Sequence, residues 1–460
     1  SPSRGLGDVY KRQILMLVKR KKISPYTIIL VSFIIIILIG GFLLSLPIAI
    51  ENGQKTNLLE GMFTATSAVC VTGLTVNDVS KVYNLFGKTV IMVLIQLGGI
   101  GIITFSTVVV TMISKKVGYF TKKLIQEDIN TNTTFEIQKF VKKVLTTVFI
   151  IEIIGAAILF LKFIKIFDYK TAAYYAIFHS ISAFCNAGFA LFSNNLSDFK
   201  NSIIINTVIP VLIFLGGIGF AAILNIYQYF LKKDKRLTTT TRIAIKMSIF
   251  LIIFGTIITF ILEYSNNKTL GTLPFFEKIG AAFFQSVTTR TAGFNTISIA
   301  ELREPTVFLF VVLMFIGASP GSTGGGIKTT TAGLILFGIV TTIKNKEHLE
   351  YNKRRISWKI YNKAMVIVFI SIMYVAVVLF LLIWLEDIRV IELGFELVSA
   401  FGTVGLSRDL TPQLSSISKL LIMITMFVGR VGPLTITLAL SRMKNPKGRY
   451  VYPKEDILIG

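Results

Sequence analysis

The sequence predicts an all-α polytopic membrane protein, with four helix–pore loop–helix repeats around a pseudo-fourfold central pore. Three observations carry this. Of 460 residues, 53% are hydrophobic and 16% charged, with a mean hydropathy of +0.71, a balance that belongs in a bilayer rather than in water. A glycine-centred phrase recurs four times in one register. Each copy follows a half-apolar segment too short to cross a membrane.

A spanning helix needs roughly 20 apolar residues, and the runs at 28–49, 144–160, 243–262 and 364–385 supply them. The formal charge of +24 could suggest a nucleic-acid partner, but the basic residues do not form a stripe on a folded domain. They cluster beside apolar spans, at 19–22, 115–123 with Lys142 and Lys143, 232–236, 344–355 and 442–449. By the positive-inside rule these clusters and both termini are cytoplasmic. The acidic and amide-rich loops, such as "NDVSKVYN", "NNLSDFKN" and "LEDIR", are then external. No nucleic acid is expected as a partner; membrane lipid is. Two cysteines, Cys70 and Cys185, and two histidines support neither a disulfide framework nor a metal cluster. Residues 1–15, beginning "SPSRGLGDVYKRQ", are set aside as a non-native segment before Met16.

The four phrases are "TATSAVCVTGLTV", "FHSISAFCNAGFAL", "FFQSVTTRTAGFNT" and "ELVSAFGTVGLSRD". They align on Gly73, Gly188, Gly293 and Gly405, at spacings of 115, 105 and 112 residues. The chain therefore divides into repeats at 16–125, 126–236, 237–350 and 351–460. In each, a long apolar span is followed by a short segment (58–70, 171–185, 275–289, 390–402), the glycine phrase and a second span. The short segments must enter the membrane and return on the same side, which gives eight spans and four re-entrant loops opening from outside. Re-entrant backbone is tolerated only where protein surrounds it or where it lines an aqueous cavity.

A dehydrated cation must be re-coordinated, and inward-turned backbone carbonyls can do this. Glycine reaches the required conformations readily. The candidate filter is Val71, Thr72 and Gly73; Asn186, Ala187 and Gly188; Thr291, Ala292 and Gly293; Thr403, Val404 and Gly405. The run "TVGLS" at 403–407 is close to the TVGYG filter of potassium channels.

With "GASPGSTGGGIKTTT" in the third repeat, "GRVGPLT" in the last helix and the ending "YPKEDILIG", these phrases resemble the membrane subunit of the Trk/Ktr/HKT superfamily of potassium transporters. The KtrB type is the nearest match, over nearly all of 16–460. The resemblance implies a K⁺-conducting pore with one filter glycine per repeat, whose only metal is K⁺ on backbone carbonyls. In related plant proteins, serine at the first filter glycine goes with Na⁺ transport; here that position is Gly73. It further implies a homodimer in a bacterial plasma membrane, served by a cytoplasmic KtrA-type octameric ring that binds ATP or ADP. No covalent cofactor is implied, and nucleotide enters only through that partner. Na⁺ as an activator, a TrkH-type assembly and Na⁺/K⁺ transport remain open alternatives.

The second span of repeat 3 cannot be one helix. Pro320 removes a donor, and each interior glycine costs roughly 1 kcal/mol against Ala. A flexible polar loop is expected there, of Gly317, Ala318, Ser319, Pro320, Gly321, Ser322, Thr323, Gly324, Gly325, Gly326 and Lys328; the resemblance implies that it is the gate below the filter. It is not a phosphate-binding loop, because Ile327 separates Gly326 from Lys328. The "GGIGI" and "GGIGF" runs, expected inside apolar helices, allow close packing or hinging rather than dinucleotide binding.

Arg430 falls near the centre of the last span, where a charge costs roughly 2.5 to 3.5 kcal/mol. The resemblance places it beneath the filter, as an electrostatic barrier or gating-loop contact. Arg290 is expected to pair with Glu396 and brace the filter, and Asp78 and Asp409 to concentrate cations at the mouth. Repeats of one orientation argue against a secondary transporter built on inverted repeats. No covalent chemistry is expected.

Overall fold

The structure is a computed structural model that describes residues 25–101, 137–232, 236–352 and 354–432. The expectations for 1–15, for the basic clusters at 19–22, 115–123 and 442–449, and for the C-terminal tail lie outside these residues.

Each repeat supplies an outer helix, a pore helix and an inner helix. Repeat 1 has α1 (Pro25–Ser45), α2 (Leu58–Cys70), the one-turn α3 (Val79–Val82) and α4 (Leu85–Ile100). Repeat 2 has α5 (Ile137–Phe163), α6 (Tyr169–Phe184) and an inner helix split into α7 (Ile203–Ile218) and α8 (Phe220–Phe230). Repeat 3 has α9 (Thr239–Glu263), α10 (Phe275–Thr288), α11 (Glu304–Phe315) and α12 (Thr329–Ile343). A short antiparallel ribbon, β1 (Leu349–Tyr351) with β2 (Arg354–Ile356), leads into repeat 4: α13 (Trp358–Leu385), α14 (Val390–Phe401) and α15 (Ser416–Val431).

Among the described residues, three outer helices are long and apolar enough to cross a membrane alone: Val141–Phe163, Thr239–Glu263 and Trp358–Leu385. Their lipid-side residues, such as Ile153 on α5, Ile261 on α9 and Phe369 on α13, are exposed; in a bilayer, hydrocarbon covers such a face. Other expected crossings are short or interrupted. The inner helix of repeat 2 bends by 99° at Gly219. That of repeat 3 breaks between Phe315 and Thr329.

The four pore helices are set by their ends. Asn57 caps α2 by accepting from the Glu60 amide, and the Glu60 carboxylate accepts from the Asn57 amide in return, a reciprocal capping box. Asp168 caps α6 through the Thr171 amide. The starts of α10 and α14 lack a capping side chain but carry Glu277 and Glu392 in their first turns, where the helix dipole favours an acid. Toward their C-termini all four run into the buried centre: Phe63, Phe178, Phe284 and Phe395 are all fully buried.

The glycine runs differ from expectation. "GGIGI" and "GGIGF" do not lie within continuous helices; α4 ends at Gly101 with φ 85°, and the repeat 2 helix bends at Gly219 with φ 98°. In repeat 4, Gly432 ends α15 with φ 91°. A positive φ is incompatible with continuing a right-handed helix. The first glycine of each run serves the expected close packing. A Cβ on Gly98, Gly216 or Gly429 would overlap the Val69, Phe184 or Phe401 carbonyl, so each inner helix lies directly on the last turn of its own pore helix.

Candidate functional site: a four-segment ring and the loop beneath it

After each pore helix the chain turns back through the candidate filter. Val71, Asn186, Thr291 and Thr403, each two residues before a filter glycine, have φ of 57°, 59°, 66° and 49°. Left-handed backbone is costly for side-chain-bearing residues, most of all for β-branched ones. Pore-helix carbonyls hold it in place. The amides of Thr72, Ala187, Ala292 and Val404 donate to Ser67, Ser182, Thr288 and Ser399 at 2.8, 2.7, 3.0 and 2.8 Å. In repeats 1 and 4 the glycine amide is fixed as well, since Gly73 and Gly405 donate to the Ser67 and Ser399 hydroxyls at 3.0 and 3.1 Å.

The four glycines, with φ between 70° and 98°, close a ring. A Cβ on Gly73 would lie 2.6 Å from the Ala187 carbonyl oxygen, and one on Gly188 would lie 2.8 Å from that of Ala292. One on Gly293 would overlap the Val404 oxygen, and one on Gly405 the Thr72 oxygen. Each repeat thus abuts the next in chain order, and the fourth returns to the first. The structure brings all twelve candidate filter residues together, and it gives each glycine a steric reason: a neighbour's backbone occupies the space of a side chain.

The loop at 317–328 packs against the inner end of this ring, where the pore helices finish. It is not free. The chain leaves α11 and rejoins α12 through a neck, where Ile327 donates to the Phe315 carbonyl at 3.3 Å and the Ser319 and Thr329 hydroxyls meet at 2.8 Å. The loop is tied to repeats 2 and 4. The Ser319 amide donates to Gly217 at 2.9 Å and the Thr323 hydroxyl to Phe184 at 3.3 Å. The Gly325 amide donates to the Thr403 hydroxyl at 2.8 Å, and Gly326 to the Gly429 carbonyl at 3.2 Å. A Cβ on Gly324 would overlap the Thr291 hydroxyl. These contacts dock the loop, with Ser319 and Thr323 buried, while the Ser322 hydroxyl is buried without a hydrogen-bond partner.

Arg430, half-buried at the end of α15, donates to the Thr323 carbonyl in the loop and to the Gly98 carbonyl in repeat 1, with Gly99 at 3.4 Å. Lys328 donates to the Gly324 carbonyl at 2.8 Å. Arg430 and Lys328 are thus held at the loop by backbone carbonyls.

The expected Arg290–Glu396 pair does not form. Arg290 ends the pore-helix turn of repeat 3 and donates to the Gly317 carbonyl at 3.0 Å and the Ser248 hydroxyl at 3.4 Å, so it braces the loop. Glu396 sits six residues before Gly402, the counterpart of Arg290, which is about 9 Å of helix nearer the start of the pore helix. It accepts from the Ser407 hydroxyl at 3.1 Å and from Thr411, tying down the chain that leaves the repeat 4 filter. Asp78 and Asp409 both follow their filter segments. Asp78 caps α3, accepting from the Ser80 amide at 2.9 Å, while Asp409 is exposed. Burial of Asp78 would raise its carboxyl, but bonds from Ser80 and Ser193 and the Lys81 charge outweigh this and hold it below its ordinary value of 3.8.

Sequence reading missed Asn195 and Asn295, which lace the repeat 2 and repeat 3 loops beside the filter. Polar loop residues next to a glycine phrase carry no local signal. It also missed Gly98, Gly216 and Gly429 as one repeated packing position, although their similar distance after the filter glycine would have revealed it.

The family described as "TrkH: Cation transport protein" matches residues 17–451. The chain is 36% identical over 443 residues to the "Ktr system potassium uptake protein B" of Bacillus subtilis, covering 96% of this chain and 98% of the relative. It is 35% identical over 446 residues to the "Potassium/sodium uptake protein NtpJ" of Enterococcus hirae, covering 96% and 98%. The crystal structure of the potassium transporter TrkH from Vibrio parahaemolyticus superposes with a TM-score of 0.73 at 18% identity, over 92% of this chain and 86% of that one. This last likeness is one of fold.

Proposed function

Because the chain belongs to the TrkH family of cation transport proteins, we propose that it takes up K⁺ as the ion-translocating pore subunit of a Ktr-type system. The observation that carries this reading is the closed ring of four glycine segments, each backed by the C-terminus of a buried pore helix. A K⁺ ion entering the ring exchanges water for backbone oxygens. The four helix C-termini aimed at the centre add about half an elementary negative charge each, which favours a cation there. Four glycines and no serine at the filter position support K⁺ over Na⁺, and the naming of the Enterococcus relative makes Na⁺ the competitor to test.

The loop at 317–328 is the gate in this reading. It lies under the ring, and its ties to Gly217, Phe184, Thr403 and Gly429 would have to part before an ion could leave. Arg430 adds a positive charge at the same level, a barrier that moves only if the loop moves. The opening force would come from a cytoplasmic nucleotide-binding ring of KtrA type acting on a homodimer, with Na⁺ as activator.

The test is ⁸⁶Rb⁺ uptake by proteoliposomes holding the purified chain, with and without Na⁺ and with and without a cognate ring. Uptake that K⁺ suppresses and the ring stimulates is expected. Wild-type vesicles that exclude Rb⁺ under every condition would end the pore reading.

A further inference from the structure

One filter carbonyl is held differently from the others. Among the described residues, Gly293 is the filter glycine whose carbonyl receives a side-chain hydrogen bond: Asn195 Nδ2, from the loop of repeat 2, donates to it at 3.4 Å. The amide orientation is fixed independently, because Asn195 Oδ1 accepts from the Asn295 backbone amide at 3.3 Å, which leaves Nδ2 facing the filter. The contact belongs to a lacing between the loops. Leu196 donates to the Asn295 carbonyl at 3.1 Å, and Asn295 Nδ2 reaches Ser197 Oγ at 3.4 Å and the Ile297 carbonyl at 3.0 Å. Asn195 has φ of 54°, a conformation that asparagine accepts more readily than most residues.

We propose that Asn195 is a specificity-determining positioning residue, whose carboxamide ties back the repeat 3 filter carbonyl. The inference rests on the pore reading above. A carbonyl oxygen has two lone pairs, so it can accept from Asn195 and still face an ion. A tied oxygen cannot follow a smaller ion inward, whereas an untied one can, so the tether resists collapse of the ring onto Na⁺. The filter then has one stiffened wall in four, supplied by a neighbouring repeat rather than by its own pore helix.

Asn195→Asp isolates the donor. It keeps the acceptor for Asn295 and tolerates the same backbone, but it sets an oxygen against the Gly293 carbonyl. Its added charge draws K⁺ and Na⁺ alike, so the ratio is the readout, not the rate. Asn195→Gly removes the side chain, accepts the positive φ and adds no charge. Suppression of ⁸⁶Rb⁺ uptake by K⁺ and by Na⁺ is titrated in proteoliposomes of wild type and both variants. Loss of one neutral hydrogen bond lowers the preference for K⁺ over Na⁺ about two- to tenfold. Should the Asp variant not assemble, the Gly variant decides. A wild-type ratio in variants that still take up Rb⁺ overturns the role of Asn195 and leaves the pore reading standing; absent K⁺-suppressible uptake in the wild type would sink the pore reading itself.

Discussion

On the proposed gating role of the loop at 317–328, replacing Gly325 by alanine should raise uptake by the chain alone. The new Cβ would lie 2.6 Å from both the Oγ1 and Cγ2 atoms of Thr403 and 2.9 Å from the Gly429 carbonyl oxygen, so the loop has to retreat by about half an ångström or more to reach ordinary contact. That retreat lengthens two bonds, from the Gly325 amide to Thr403 at 2.8 Å and from the Gly326 amide to Gly429 at 3.2 Å. At roughly 0.5 to 1.5 kcal/mol for each of the two bonds and 1 to 3 kcal/mol for overpacking, the docked loop loses about 2 to 6 kcal/mol. An undocked loop, freed of Thr403 and Gly429, escapes these particular clashes. A factor of ten per 1.4 kcal/mol makes this at least about a thirtyfold shift toward the undocked state. Uptake of ⁸⁶Rb⁺ by vesicles containing the chain alone should therefore rise well above wild type, and added cognate ring should stimulate it less. An uptake equal to or below wild type, in protein that remains monodisperse and K⁺-selective, would refute the reasoning that this docking blocks the path.

Three further outcomes follow from the geometry. Gly73→Ser places a side chain 2.6 Å from the Ala187 oxygen on backbone with φ of 98°, so the K⁺ over Na⁺ preference should fall, and an unchanged permeability ratio in competition uptake would contradict the ring. Fully buried Glu263 accepts from Thr269 and Asn266 at 2.6 Å, from the Arg303 amide at 2.9 Å and from Thr306 at 2.5 Å; Glu263→Gln turns one acceptor into a donor facing donors and should cost about 1 to 3 kcal/mol, read as a lower unfolding midpoint in detergent than for the exposed control Glu304→Gln. The Asp78 carboxyl lies below its ordinary value of 3.8 when folded, so its stabilisation is full above that pH and is lost as pH falls through the lower folded value; melting scans from pH 6 downward should show a decline below about pH 4 that is smaller in Asp78→Asn, and identical slopes would contradict the assignment.

Much of this architecture was legible in the sequence because it repeats. A pore helix written once as "NLLEGMFTATSAVC" is ambiguous; written four times before a glycine it is bounded, and Leu58–Cys70 is the expected segment while Tyr169–Phe184 differs by two residues at its start. There the Asp168 cap begins the helix ahead of the apolar run. What stayed hidden depends on three-dimensional neighbours. Nothing in Val71, Asn186, Thr291 and Thr403 announces a shared left-handed backbone, since valine and threonine resist it; pore-helix carbonyls impose it. The Arg290–Glu396 pairing failed for a similar reason. Opposite charges beside adjacent glycine phrases look like partners until the rise of the pore helix sets one against the 317–328 loop and the other beside the chain leaving the repeat 4 glycine segment. The glycine runs of the inner helices read as packing surfaces, which they are, but the turn at their last glycine answers to a backbone angle that hydropathy does not register.

The closure of the ring through Thr72 and Gly405 has a consequence for how such a pore can be tuned. In a channel assembled from identical subunits, one changed codon rewrites every wall of the conduit simultaneously. Here a single polypeptide circles the axis, so one altered residue touches a single quadrant and leaves its three companions as they were. Preference among monovalent ions can therefore be adjusted in separate, unequal increments, and the quadrants have room to specialise.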